Sequence, residues 1–403
     1  VHPYLKVLSD LGRSDYVDEA SLFSFPLSAF ALQLLFQNTG FPYGKIFHIV
    51  GDEASFKTTF SLMLAKLHID LGGFAFVFDT ETRPVPDIHK GIFGENYAER
   101  FTAVPCKTLE QWESALYYTT KQFKSYQDET KSPIPLCLIV DSLLGCNSKS
   151  TIEQLDKSGY LDTRWAVEAR SISDYLRSYT QSLLGSFTTV CLVNHRKYRV
   201  APGPYAHVQK TSLGGNEIRY YSGVELELSR KGEKPVLGPV KTYEIALETY
   251  KNTYGSQRIS IHCPICFTYE NEKLQIEFDW DTATVWVLMD YEVKPKLPKS
   301  QQRKVVEICK IESRMAGVKG EVFWCEQLGI TREKALPAKE LGKLINSNTE
   351  LLEKLYPIYG ITPRYIYDFS KSYDENLTEY KKFCNVRASA GSSTSDDSAS
   401  AES

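Results

Sequence analysis

Residues 45–71, KIFHIVGDEASFKTTFSLMLAKLHIDL, leave few folds open to this chain. KIFHIV (45–50) is a short apolar run of the kind found in buried parallel strands. A polar loop opening at Gly51 follows, and TTFSLMLAKLHIDL then carries apolar residues at helical spacing up to Gly72 and Gly73. The strand signal recurs in FAFVFD (74–79), PLCLIVD (135–141) and TTVCLVN (188–194). Between these lie helical patterns, TLEQWESALYYTTKQF (108–123) and a long one over about 162–184. Strands alternating with helices predict an α/β fold with a mostly parallel sheet wrapped by helices. Such sheets bind ligands outside the carboxyl ends of their strands. Gly51, Asp79, Glu81, Asp141, Asn194 and His195 all fall there.

Beyond residue 222 the pattern changes to VELELS, TYEIALETY and QRISIHC, whose period-two alternation predicts antiparallel strands. The basic, proline-containing VKPKLPKS (293–300) marks the passage to a smaller helical region reaching about 386. The last stretch, RASAGSSTSDDSASAES (387–403), has the composition of a disordered tail. The divisions expected are therefore 1–30, an N-terminal segment; 31–292, the core; 293–386, a small C-terminal domain; and 387–403, the tail. Phe23 and Phe25 in ASLFSFP either anchor a neighbouring subunit or pack into the core.

Composition sets outer limits. Of 403 residues, 42% are hydrophobic and 24% charged, which suits a soluble protein with a substantial core. No stretch approaches the roughly 18 apolar residues of a membrane span, and residues 1–20 lack the layout of a signal peptide. Position 1 is valine, so the natural N-terminus is expected to be altered or missing. Nine cysteines at scattered spacings favour reduced thiols in a cytosol-like compartment. HCPIC (262–266) offers one CxxC where a closed zinc site needs four ligands, so these read as ordinary strand and turn cysteines. The net charge of −3 means that any nucleic-acid binding must come from local patches.

The loop GDEASFKTT has the parts of a phosphate-binding loop: Gly51, Asp52, Glu53, Ala54, Ser55, Phe56, Lys57, Thr58 and Thr59. Backbone N–H groups would face the phosphates, Lys57 the outer phosphates, and the Thr58 hydroxyl a magnesium ion. The helix dipole adds to the anion site. Phe56 stands where glycine is usual; it is expected to be the first helical residue, at negative φ, with its ring turned into the packing between sheet and helix. Asp141, closing an apolar strand, is placed to hold the metal through a water, and Glu81 to orient or deprotonate an attacking water. A polar turn with a solvated lysine, a helix-capping aspartate and a surface glutamate are the plain alternatives.

Between the fourth strand and GGN lies RKYRVAPGPYAHVQKTSL (196–213). Arg196, Lys197, Arg199 and Lys210 occur here without an acidic residue, with Tyr198 and Tyr205 interleaved. Cations for phosphates and aromatics for stacking are what single-strand binding requires. Its Gly and Pro positions argue against regular structure, and a solvated surface loop remains the alternative.

In order, GDEASFKTT, VFDTE, LIVDSLLG, LVNHR and SLGGNEIRYYSGVELELSR resemble the RecA recombinase family. The chain is most similar there to phage strand-exchange proteins of the UvsX type, which also carry Phe before the loop lysine. The similarity continues through YKNT, DYEVKPK and LGKLINSNTELLEKLYPIYGI and covers most of 25–370. It implies a RecA-like P-loop NTPase core with a small helical C-terminal domain, using ATP and Mg2+. By resemblance, Lys57 and Thr58 take the phosphate and magnesium roles, Asp141 the second metal contact, and Glu81 the catalytic carboxylate. Asn194 and His195 stand where the family has a polar sensor of the γ-phosphate, with glutamine in RecA at the place of His195. Asp87 and His89 would lie near the adenine. Lys251 matches one of two lysines given to a neighbour's ATP, while Thr253 replaces the other; Arg219 and Tyr220 match the segment relaying nucleotide state between subunits. The basic loop, with Gly214, Gly215 and Asn216, becomes the second DNA-binding loop. The first would fall at about 152–164, followed by Arg170.

The function implied is filament formation on single-stranded DNA and strand exchange with homologous duplex. A single-strand-binding protein and a mediator or loader are the further partners implied, in the cytoplasm of a phage-infected bacterium. A RecA-fold ring helicase and a mediator without exchange activity are the alternatives.

Overall fold

Apolar runs too short for helices become strands, and each lies where both its faces can be covered. The computed structural model describes residues 23–81, 86–94, 97–143, 145–158, 165–200, 208–212, 216–234, 241–270, 273–289, 310–312 and 322–392. It opens with strand β1 (Ser24–Pro26), helix α1 (Phe30–Phe36) and β2 (Gly40–Pro42), which pairs antiparallel with β1. Every residue of α1 is buried, as suits a helix apolar but for Gln33, whose amide donates to the Leu27 carbonyl at 2.8 Å. Then come β3 (Lys45–Gly51), α2 (Lys57–Asp70), β4 (Phe74–Asp79), α3 (Pro86–Phe93), β5 (Phe101–Pro105), α4 (Leu109–Thr130) and β6 (Leu136–Asp141). At the start of α4 the Gln111 side chain reaches back to accept the backbone N–H groups of Lys107 at 2.7 Å and Thr108 at 3.3 Å, one half of a capping box. Next are α5 (Lys149–Ser158), α6 (Trp165–Leu183), β7 (Thr188–Val200), β8 (Val208–Ser212), α7 (Asn216–Tyr221), β9 (Val224–Lys234), β10 (Lys241–Asn252), β11 (Ser260–Glu270), β12 (Lys273–Phe278) and α8 (Trp280–Met289).

The main sheet has the order β12-β11-β10-β9-β3-β7-β6-β4-β5. From β9 to β5 every neighbouring pair is parallel; from β9 to β12 every pair is antiparallel. This is the expected α/β architecture, a mostly parallel sheet with antiparallel strands at one edge. One face carries Ile46, Phe78, Leu138, Val140, Val190 and Leu192, covered by Leu109, Trp112 and Leu116 of α4 and Ile172, Leu176 and Tyr179 of α6. The other face, with Phe47, Ile49, Val77, Ile139 and Val193, packs on α1, α2 and the C-terminal part of the chain. Among the described residues no helix is long and apolar enough to cross a membrane.

The C-terminal region differs from the purely helical one expected. It holds a small antiparallel sheet, β13 (Lys310–Glu312), β14 (Val322–Trp324) and β15 (Leu336–Pro337), before α9 (Ala338–Ser347), α10 (Thr349–Tyr359) and α11 (Tyr373–Ser392). The last helix runs past 386 into the segment expected to be disordered. Leu341, Ile345, Leu355 and Tyr359 join the same apolar cluster as Phe30 and Val285. A Cβ at Gly342 would run into the Asp281 backbone, so glycine lets α9 cross α8 this closely. Phe23 and Phe25 are fully buried in the chain's own core. Phe23 lies among Tyr365, Tyr367, Tyr373, Tyr380 and Phe187, with ring centroids 4.9 to 6.0 Å away.

Behind α2, His68 is buried beside Phe25, its Nδ1 2.8 Å from the Leu64 carbonyl and its Nε2 2.8 Å from Thr189 Oγ1. Nδ1–H therefore donates to the carbonyl, and the ring is neutral. Burial lowers its pKa from the ordinary 6.5 to about 4. The unfolded chain binds more protons between those values, so this stabilisation is complete above about pH 6.5 and fades as pH falls toward 4. It is worth on the order of 3 kcal/mol. The stability difference between the protein and His68→Gln is expected to shrink by that order between pH 7.5 and about 4.5, read from chemical melts; a pH-independent difference would contradict it.

Candidate functional site

The loop after β3 is held tightly by its own residues. A Cβ at Gly51 would collide with the Leu228 carbonyl and come within 2.5 Å of Ser55 Oγ, so the chain there passes too close for a side chain. Ser55 Oγ donates to the Asp52 carbonyl at 2.8 Å, and the Lys57 ammonium donates to the same carbonyl at 2.6 Å. Burial lowers the Lys57 pKa, and Asp141, Glu81, Asp52 and Glu53 work against that shift. Helix α2 begins at Lys57, so its N-terminal amides open onto the loop.

Phe56 corrects the sequence reading. It lies in the left-handed region, φ 65° and ψ 27°, as the residue before the helix and not as its first turn. Ala54 shares the positive sign, with φ 56°. The loop thus keeps the conformation that glycine would take without cost, and Phe56 pays about 1–2 kcal/mol of backbone strain. Its ring turns away from the loop amides, but onto the antiparallel edge: Tyr243 is 5.2 Å and Phe267 5.9 Å away. Aromatic pairs of this kind contribute about 0.5–1.5 kcal/mol each, enough to offset the strain. Phe56→Gly is expected to keep nucleotide affinity within about threefold while changing stability by no more than about 2 kcal/mol, because strain relief and lost packing oppose each other. A fluorescent-nucleotide titration and a thermal melt check this, and loss of binding would contradict it.

At the carboxyl ends of the neighbouring strands the expected carboxylates converge. Thr58 Oγ1 donates to Asp141 Oδ2 at 2.6 Å. Burial raises the Asp141 pKa, the Thr58 hydrogen bond opposes this, and Glu81 and Asp79 push it further up. A hydroxyl and a buried carboxylate strained by like charge form a donor set that suits a hydrated magnesium ion. Glu81 is fixed from two sides: Ser142 Oγ donates to its Oε1 at 2.9 Å, and His195 Nε2 lies 3.4 Å from the same oxygen. Thr80 braces Ser142, donating to its carbonyl at 2.6 Å and accepting from its N–H at 2.9 Å. Loop, hydroxyl and carboxylates therefore fit a magnesium–nucleotide triphosphate.

A cavity of about 610 Å³ adjoins these groups, lined by Thr58, Glu81, Asp141, Ile88, His89 and Tyr97 among others. His89 lines this cavity, and Asp87, two residues earlier on α3, lines a groove with Lys66, Lys90 and Lys273. Helix α3 places successive residues on different sides, which a loose alignment over VPDIH does not resolve.

Asn194 is buried, its Nδ2 3.1 Å from His48 Nε2 and its Oδ1 accepting the His195 N–H at 2.8 Å. Arg196 corrects a second expectation. It does not extend to solvent for DNA; its side chain is 6% exposed, with Nη2 3.1 Å from Glu225 and 2.9 Å from Glu227. Residues 196–200 and 208–212 are also not irregular, since β7 continues to Val200 and pairs antiparallel with β8, Lys197 opposite Thr211, Tyr198 opposite Lys210 and Arg199 opposite Gln209; 201–207 and 213 lie outside the described residues. Tyr205, Gly214 and Gly215 lie outside the described residues, and Asn216 opens α7. The expected first DNA loop is helical over 152–158 as part of α5, with 159–164 outside the described residues; Arg170 is exposed on α6.

Lys251 Nζ donates to the Arg219 and Tyr220 carbonyls at 2.8 Å each, so within one chain it caps the C-terminal end of α7. Burial and the nearby Arg219 lower its pKa. Tyr220 is 76% exposed beside it. Sequence reasoning passed over His48, Thr80 and Ser142. The signal for His48 was its place inside the apolar run KIFHIV, where a buried imidazole needs polar partners; nothing local marked the other two.

Residues 8–265 match the RecA N-terminal domain. The chain is 29% identical over 191 residues to protein RecA of Leptospira biflexa, covering 47% of this chain and 45% of that protein. It is 26% identical over 207 residues to protein RecA of Nautilia profundicola, covering 51% and 54%. With protein RecA of Francisella tularensis subsp. novicida the identity is 26% over 227 residues, covering 56% and 58%. The chain thus spans about half the length of the curated relatives it matches. The domain match takes in the loop of β3, the carboxylates of β4 and β6 and the polar pair of β7, and the chain belongs to the RecA family.

Proposed function

We propose that this chain is an ATP-hydrolysing recombinase of the phage UvsX type, which assembles as a helical filament on single-stranded DNA and promotes pairing and exchange with homologous duplex. The observation that supports it best is the meeting of Lys57, the Thr58–Asp141 pair and the Glu81–His195 pair at one end of a RecA-family sheet. The loop 51–58 and Lys57 would hold the phosphates, and Thr58 and Asp141 the magnesium. When bound, magnesium–ATP supplies an electrophilic γ-phosphorus whose charge is partly neutralised. Glu81 orients the attacking water and takes its proton, while Ser142 and His195 keep the carboxylate in place. His89, which lines the cavity, would lie against the adenine.

The strand that carries the sensor pair runs on without a break into the β7–β8 hairpin, so a change at His195 shifts the backbone that bears Lys197, Tyr198, Arg199 and Lys210. Exposed Tyr220, with Arg219 and Lys251 around it, would meet the nucleotide of a neighbouring subunit. The setting proposed is the cytoplasm of a phage-infected bacterium, with a single-strand-binding protein and a loader as further partners.

The deciding experiment measures ATP hydrolysis with and without single-stranded DNA. Stimulation is expected, and a rate indifferent to DNA sinks the reading. Electron microscopy with ATP and single-stranded DNA should show helical filaments; closed rings would favour a helicase.

A further inference from the structure

Parallel strands in the middle of a sheet are covered on both faces and are ordinarily apolar. One face of β3, β7 and β9 departs from this, with His48, Asn194, Arg196, Glu225 and Glu227 in adjoining positions. His48 is fully buried and lies opposite Glu225 in the strand register. Its Nδ1 is 3.3 Å from Glu225 Oε2 and its Nε2 3.1 Å from Asn194 Nδ2. Glu225, itself buried, also takes Arg196 at 3.1 Å and faces Arg219 Nε at 3.4 Å.

These contacts fix one another's direction. A carboxylate only accepts, so His48 carries its proton on Nδ1 and donates to Glu225. Nε2 then only accepts, so the Asn194 amide donates to it and keeps Oδ1 for the His195 N–H. Burial lowers the His48 pKa, against the pull of Glu225 and with the push of Arg196 and Arg219, which keeps the ring neutral. Burial alone would raise the Glu225 pKa, yet His48, Arg219 and Arg196 hold it down at about 2.

We propose that His48 and Glu225 are positioning residues that form a buried relay, linking the amide of Asn194 at the nucleotide end of β7 to Arg196 at the root of the β7–β8 hairpin and to Arg219 on α7. The inference rests on the nucleotide half of the function proposed above. If the Asn194 amide turns over, Oδ1 meets Nε2. The imidazole proton must then move from Nδ1 to Nε2, and Glu225 loses the donor that fixed it. Arg196 follows, because both its ion pairs run through Nη2 and one of them is to Glu225. Two arginines on different elements, one leading to the hairpin and one to α7, thereby respond to one amide.

The test is hydrogen–deuterium exchange on the full chain, followed in peptides covering 195–200, 208–212 and 216–221, with magnesium and either a non-hydrolysable ATP analogue or ADP. In the parent protein the two nucleotides are expected to give exchange rates differing by about tenfold in these peptides. His48→Leu should bring the two within about twofold. His48→Gln, whose amide can both donate to Glu225 and accept from Asn194, should restore most of the difference. Glu225→Gln supplies a second break should the leucine variant fail to fold. A nucleotide-dependent difference that persists in His48→Leu or Glu225→Gln overturns the relay, as does the absence of any difference in the parent. No DNA is needed, so a protein that passes here but ignores DNA sinks the recombinase reading alone. Failure to bind a fluorescent nucleotide sinks both.

Discussion

Glu81→Gln is expected to bind magnesium–ATP within about threefold of the parent while hydrolysing it about 10²–10⁴-fold more slowly. The amide has the shape of the carboxylate and can still accept from Ser142 Oγ, so the local packing need not change. What it cannot do is take a proton from water. Replacing one partner of the His195 contact also disturbs little, because the 3.4 Å separation makes that interaction a weak one. The measurement is single-turnover hydrolysis alongside a fluorescent-nucleotide titration. Equal turnover in the two proteins would strip Glu81 of the catalytic role, and lost binding would make it structural.

The second large effect concerns a pair. Thr58→Val and Asp141→Asn should each lower turnover about 10²–10³-fold, since each removes an oxygen group facing the nucleotide's metal. The double variant should be little worse than the poorer single one. Thr58 and Asp141 share a 2.6 Å hydrogen bond and face the same metal, so changing either disturbs the contact both serve, and residues that work as a unit do not add. Turnover of the four proteins at saturating magnesium gives the cycle, and multiplicative losses would show two independent groups. Asp141→Asn should also stabilise the protein without nucleotide, since burial, Glu81 and Asp79 all oppose its charge.

Local pattern carried much of this architecture. FAFVFD became β4 over the same residues, and LCLIVD became β6, because runs of β-branched and aromatic residues of that length fit a strand covered on both faces. The loop, Asp141 and Glu81 were legible for a related reason, since their chemistry depends on position relative to strand ends. Conformation within the loop was not: the rings that offset the positive φ at Phe56 lie on β10 and β11, about two hundred residues away in sequence. Arg196 was misjudged because a count of basic residues in 196–213 cannot see Glu225 and Glu227. VELELS did hold a warning, for a strand placed beside β3 in mid-sheet has no solvent face for two carboxylates. The hairpin was hidden by Pro202, Gly203 and Pro204, which argued against regular structure when the strands on either side could pair regardless.

The ring of aromatic contacts at Phe23 has a consequence for how the molecule is made. Of its five aromatic neighbours, four belong to residues 365–380 and one is Phe187. During synthesis, the sheet and its nucleotide loop leave the ribosome well before those tyrosines exist. A nascent chain can therefore assemble the half that carries the loop after β3 while Phe23 still lies uncovered, offering an apolar contact to chaperones or to other nascent chains. Only with the arrival of α11 does Phe23 find its place, and two segments far apart in the chain close the same corner of the protein.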